Sequence, residues 1–137
     1  MCKILLLSLG LLLATGAAFG QQTGCLLQSQ RPMIVAELFF GRTIKGRGPV
    51  SEAEWSGFVR HVIAIQFPDG FTVHDGAGSW LDPATRSVVR ERTKILTVAL
   101  DPAADAGSRL RAVMDAYKRE FRQTSVGLIT ANACGAF

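Results

Sequence analysis

The chain has 137 residues, 48% of them hydrophobic and 19% charged, which is enough for one packed domain and short for two. Lysine and arginine outnumber aspartate and glutamate by 15 to 11, a formal net charge of +4. With no dense basic run interleaved with aromatics, this mild excess excludes nucleic acid as the partner.

Residues 1–20 read as a signal peptide. Lys3 supplies the positive n-region, the run from Ile4 to Ala14 is apolar but too short to span a bilayer, and Ala18 and Gly20 place small residues before a cleavage site at Gln21. The expected product is exported, periplasmic or secreted, with no transmembrane span in the mature chain. A lipid anchor on Cys25 is the alternative. Thr23-Gly24-Cys25 suits a bacterial lipobox, but Gln22 stands where a leucine-like residue belongs. Cleavage also removes Cys2 and leaves Cys25 and Cys134, an even count that favours a disulfide in an exported chain.

Residues 21–32 form a polar leader, and residues 33–137 a single α+β domain. Met33 to Phe40 alternates as a strand apolar on both faces except for Glu37, the pattern of a central strand. The basic, glycine-rich loop from Gly41 to Pro49 matches the first half of a phosphate loop. Arg47-Gly48 stands where lysine and a hydroxyl residue are required, so nucleotide hydrolysis is excluded. Ser51-Glu52-Ala53-Glu54 is a capping box, and Trp55, Phe58, Val59, Val62 and Ile63 make the apolar stripe of the helix it opens. Pro68 ends that helix at Phe67.

Phe71 to Asp75 is the second strand, with a bend expected at Gly76 and Gly78 before Trp80. Ser87 to Leu100 is a long return strand, on which Arg90, Arg92 and Lys94 share one face. Asp101 or Asp105 caps a second helix, whose stripe is Leu110, Val113, Met114, Tyr117 and Phe121. Val126 to Phe137 closes the chain as a strand.

The order strand, helix, strand, strand, helix, strand predicts a ferredoxin-like βαββαβ fold, a four-stranded antiparallel sheet in order 4-1-3-2 with two helices on one face. The topology sets the start of the first strand beside the end of the last, so Cys25 and Cys134 are expected to pair. The other sheet face is free of helices and carries Val35, Phe39 and Ile95 with Glu37, His74, Thr93 and Thr97. Such a face packs on a second copy or lines a pocket. Arg42, His74, Asp75, Trp80, Arg90, Glu91, Arg92 and Lys94 are expected to gather at one end of the sheet.

Several separated stretches resemble the bacterial domain of unknown function 3574 family, small exported or lipoprotein-like proteins. They are Ala36-Glu37-Leu38-Phe39-Phe40-Gly41 with Ser51-Glu52-Ala53-Glu54-Trp55; Phe67-Pro68-Asp69-Gly70, Gly78-Ser79-Trp80 and Arg90-Glu91-Arg92-Thr93-Lys94; and Ala116-Tyr117-Lys118 with residues 121–126. The resemblance implies no activity. It marks Glu37, Trp80, Glu91 and Lys94 as motif positions, and a cysteine at each end as a family trait.

Two functions suit these residues. One is a binding module of the cell envelope, for a small ligand or a protein, that uses the helix-free face and pairs as a homodimer. Arg42, Trp80, Arg92 and Lys94 are its ligand-binding candidates. The other is a cofactor-free enzyme of dimeric α/β-barrel type, with His74 as general acid or base, Glu37 or Glu91 orienting it, and Arg92 or Lys94 holding an anionic substrate. No cofactor is implied, and His61 and His74 have no metal-ligand spacing.

Overall fold

The computed structural model describes residues 24–103 and 105–137. The expected signal peptide (residues 1–20), residues 21–23 of the leader, and residue 104 lie outside the described residues.

The elements are β1 (Arg31–Gly41), α1 (Glu52–Phe58), a π-helical segment (Val59–Ile63), α2 (Ala64–Gln66), β2 (Thr72–Leu81), β3 (Val88–Leu100), α3 (Ala106–Glu120) and β4 (Gly127–Gly135). The four strands form one antiparallel sheet in the order β2-β3-β1-β4. Residues 52–66 run as one helical stretch, so the fold is the expected ferredoxin-like α+β arrangement.

Period-two alternation decides what each strand buries. Ala36, Leu38 and Phe40 of β1 and Leu96, Val98 and Leu100 of β3 face the helices and are buried. Against them pack Trp55, Phe58 and Ile63 from the first helical stretch and Leu110, Val113 and Tyr117 from α3. Phe40 sits at the centre, its ring centroid 5.4 Å from Trp55, 6.1 Å from Phe58 and 4.8 Å from Tyr117. Tilted and edge-on contacts of this kind add to area burial.

The capping box forms as expected. The Glu54 backbone N–H donates to Ser51 Oγ (3.2 Å), and the Ser51 backbone N–H donates to the Glu54 carboxylate (2.8 Å). Pro68 and Gly70 end the stretch in a turn in which the Gly70 N–H donates to the Phe67 carbonyl (3.2 Å). Gly70 takes φ +122°, a conformation that L side chains rarely adopt.

Two expectations need correcting, and a choice between two is decided. β1 starts at Arg31, so the last two leader residues pair with Gly135 and Cys134. Pro32 is tolerated because it lies at the beginning of the strand. The second strand does not break or bulge at its glycines: β2 pairs with β3 continuously from Thr72↔Thr97 to Leu81↔Val88. Its glycines answer neighbours on β3 instead. A Cβ at Gly76 would meet Ile95 Cδ1 at 2.9 Å, and one at Gly78 would meet Thr93 Oγ1 at 3.3 Å. Of the two starts expected for the second helix, the one used is Asp105, after which α3 begins. Asp101 instead accepts the Ala103 N–H (2.8 Å) in the preceding turn.

Cys25 and Cys134 form a disulfide with Cα atoms 5.6 Å apart, across a sequence separation of 109. The leader is thereby fixed to β4, an edge of the sheet. Among the described residues, no helix is long and apolar enough to cross a membrane.

Candidate functional site

The end of the sheet where β1 finishes and β3 begins has polar groups on both faces. The expected cluster is therefore split by the sheet itself.

On the helix side, Arg42 and Lys94 are buried, with relative exposures of 4% and 5%. Glu52, in the first turn of α1, bridges them: Arg42 Nη1 lies 2.6 Å from its Oε1 and Lys94 Nζ 2.9 Å from its Oε2. Lys94 also pairs with Asp75 across the β2–β3 ladder at 2.7 Å. The Arg42 Nε and Nη2 groups both donate to the Val50 carbonyl. Burial opposes the Lys94 charge, but the hydrogen bonds to Asp75 and Glu52 outweigh it and raise the ammonium pKa. The same contacts hold the Glu52 and Asp75 carboxyls below their ordinary values. These groups are already partnered, and the network anchors the glycine-rich loop to α1 and β3. Arg92 shares this face, opposite Ala77, and is exposed.

On the helix-free side, a depression of about 440 Å³ is lined by Phe39, Gly41, Trp80, Glu91, Thr93, Gln123, Thr124, Ser125 and Gly127. Its floor is set from the core. The Tyr117 hydroxyl donates to the Gly41 carbonyl (2.9 Å), tying the end of β1 to α3. Burial pushes the Tyr117 pKa up, so the phenol stays a neutral donor. Gly41 has no side chain because Glu91 occupies the space. A Cβ there would lie 2.7 Å from the Glu91 carboxylate. That carboxylate accepts the Thr43 N–H on Oε1 (2.7 Å), and the Gln123 side-chain amide donates to the Thr43 carbonyl (2.7 Å). The loop between α3 and β4 thus closes one side, while the Trp80 ring, half-exposed on edge strand β2, forms another. Among the described residues, Glu91 belongs to no ion pair. The lining therefore combines aromatic rings, hydroxyls, an amide and one carboxylate, with no lysine or arginine.

His74 lies opposite Ile95, and Glu37 lies opposite Thr97, whose hydroxyl donates to Glu37 Oε1 (3.3 Å). Glu91 pairs with Gly78, four residues along β2 from His74, a span of roughly 13 Å. The three acid–base candidates therefore share a face without meeting. Of the ligand-binding candidates, Trp80 lines the depression, whereas Arg42, Arg92 and Lys94 lie across the sheet from it. Phe39 was expected on this face, whereas Gly41 and Gln123 to Ser125 were not foreseen as lining residues, although they fall inside the stretches that carry the family resemblance.

A second depression, of about 560 Å³, lies at the other end of the same face among Met33, Val35, Phe71, Ala99 and Phe137. Its rim has both arginine and aspartate, so it offers no single-sign recognition. Among the described residues, no group of three or more His, Cys, Asp or Glu side chains could hold a metal ion.

Comparison with known proteins adds a family and a fold. A family model described as protein of unknown function (DUF3574) matches residues 35–137. No curated protein matches the chain. Among solved structures, the chain is similar to a phage SAM lyase in complex with S-methyl-5'-thioadenosine, at 10% identity and a TM-score of 0.56, covering 77% of this chain and 90% of that one. It is likewise similar to a phage SAM lyase in the apo state, at 15% identity and a TM-score of 0.54, with the same coverages. At these identities the likeness is one of fold.

Proposed function

Since the chain belongs to the DUF3574 family, whose function is unknown, we propose that it is an exported binding module of the cell envelope that takes a small ligand in the depression beside Glu91. The observation that carries this reading is the lining itself. A carboxylate that has no ion-pair partner among the described residues stands in a cleft walled by Trp80 and Phe39 and edged by hydroxyls. Such a set suits a flat-ringed ligand that is neutral or positively charged, with the ring against the aromatics and the cation towards the acid. A protein of similar fold holds S-methyl-5'-thioadenosine, which supports a nucleoside thioether or its sulfonium counterpart as the first probe. Export is supported by the signal-peptide pattern of residues 1–20 and by the Cys25–Cys134 bridge, which suits an oxidising compartment.

Titration of the protein with S-methyl-5'-thioadenosine and with its S-methylated, cationic analogue, followed by Trp80 fluorescence, tests the reading. Both should bind, the cation more tightly. Glu91→Gln should remove the preference for the cation, a loss of roughly tenfold for one partly exposed charge-assisted contact. Absence of any saturable signal with either probe would count against this ligand class. Saturable binding that Glu91→Gln leaves unchanged by fluorescence, or that Trp80→Ala leaves unchanged by calorimetry, would place the site elsewhere.

A further inference from the structure

Beyond Arg42, whose N–H donates to the Arg92 carbonyl (3.1 Å), β3 has, among the described residues, no strand neighbour except β2. Residues 78–81 and 88–91 therefore continue as a two-stranded arm closed by the turn at residues 82–87. The arm extends roughly 10 Å past the sheet. At its tip the large apolar side chains are left open: Trp80 is 51% exposed, Leu81 53% and Val88 63%. Leu81 and Val88 face each other across the last pair, and Trp80 stands on the opposite face of the same tip. A two-stranded ribbon is marginal by itself, and one ending in exposed apolar residues is a contact surface awaiting a partner.

The charges on the arm identify that partner. Arg86, Arg90 and Arg92 are exposed and, among the described residues, in no ion pair. The neighbouring acids are engaged: Asp82 accepts the Ala84 N–H (2.8 Å) within the turn, Asp75 holds Lys94, and Glu91 points to the other face and holds Thr43. Arg90 lies two residues behind Val88 on the same face, about 7 Å back along the strand. That spacing matches a lipid headgroup layer: with Leu81 and Val88 at the acyl boundary, Arg90 reaches the phosphates. The Trp80 indole, apolar with one polar edge, is a side chain suited to the same depth. A convex apolar tip fits a deformable surface better than a preformed protein groove.

We propose that the β2–β3 arm docks on an anionic phospholipid surface, with Trp80, Leu81 and Val88 entering the interface and Arg86, Arg90 and Arg92 binding lipid phosphates. This shares Trp80 with the ligand cleft, but it rests on the exposed tip and its arginines and not on a bound ligand. The test uses the chain from Gln21 onward, the product expected after cleavage, so that the apolar run from Ile4 to Ala14 does not itself partition into the vesicles. The chain has two tryptophans, and Trp55 is buried, so surface-dependent emission changes report on Trp80. Phosphatidylcholine vesicles with phosphatidylglycerol should blue-shift the emission, and brominated acyl chains should quench it. Phosphatidylcholine alone should do neither. The double variant Leu81→Ser, Val88→Ser should lose the quench. Replacing the three arginines by glutamine should weaken vesicle binding about fivefold per residue, and added salt should act in the same direction. Circular dichroism and the retained disulfide check the fold; should the double variant misfold, the uncharged single change Val88→Ser makes the same test at a well-exposed position. Quenching that survives loss of the apolar tip, equal binding to uncharged vesicles, or a salt-sensitive complex with an acidic protein but no vesicle partition would overturn the proposal.

Discussion

A methyl group added at Gly41 would sit 2.7 Å from the Glu91 carboxylate, the end of a flexible side chain able to swing away. Gly41→Ala should therefore cost little stability while moving the acid off the Thr43 N–H. The expected outcome is a nearly unchanged urea midpoint together with weakened binding of the cationic probe. Tyr117→Phe acts on the same point from beneath. It removes the hydroxyl that donates to the Gly41 carbonyl (2.9 Å) and should lower stability by about 1 kcal/mol in urea unfolding. Side chains at this scale were partly legible in the sequence. Trp80 and Glu91 declared themselves by type, and they line the depression. Lys94 and Arg42 declared themselves equally by type but belong to a buried network under the helix. Residue type states what a side chain can do, whereas parity on β3 states which face it does it on. The alternation of Lys94 with Leu96 already pointed to the core.

Among the elements, the helix entry at Ser51 was the most readable, because its signal is local and reciprocal. It also carries a pH dependence. The Ser51 backbone N–H, then the Arg47 side chain and the Ser51 hydroxyl, hold the Glu54 carboxyl at about 2 against an ordinary 4.5. An acid depressed in the fold binds its proton more readily when unfolded. The stability it contributes is therefore present above pH 4.5 and is lost as the pH falls towards 2. Glu54→Gln should flatten that part of the acid-unfolding curve, measured by circular dichroism between those limits. Ser51→Ala should cost about 1 kcal/mol at neutral pH. The second strand shows what local reading misses. Gly76 and Gly78 look like bend residues in sequence. They are small because Ile95 and Thr93 of β3 lean over them, a cross-strand cause that no window on β2 contains.

For the molecule as a whole, strand order and the helix-free face followed from element order and period-two patterning, since chirality and short connections leave few ways to assemble them. The depression was not readable in the same way. It is completed by Gln123, Thr124 and Ser125, which reach it only after α3 has crossed the sheet and returned the chain to β4. The disulfide is a feature of this same scale, since it joins residues from the two ends of the described fold. Cys25→Ser with Cys134→Ser should lower stability by up to about 4–5 kcal/mol in the chain-entropy view, measured as the difference in urea unfolding free energy from the oxidised protein.

The bridge also makes the segment from Cys25 to Cys134 a covalent ring that contains both helical stretches, β1, β2, β3 and most of β4. A protease that cuts once at the exposed turn of residues 82–87 opens that ring without releasing a fragment. The nicked protein should migrate as one species under non-reducing conditions and as two after reduction. With its halves still paired along the β1–β3 ladder, it should resist dissociation in a way that the serine double variant, nicked at the same place, does not.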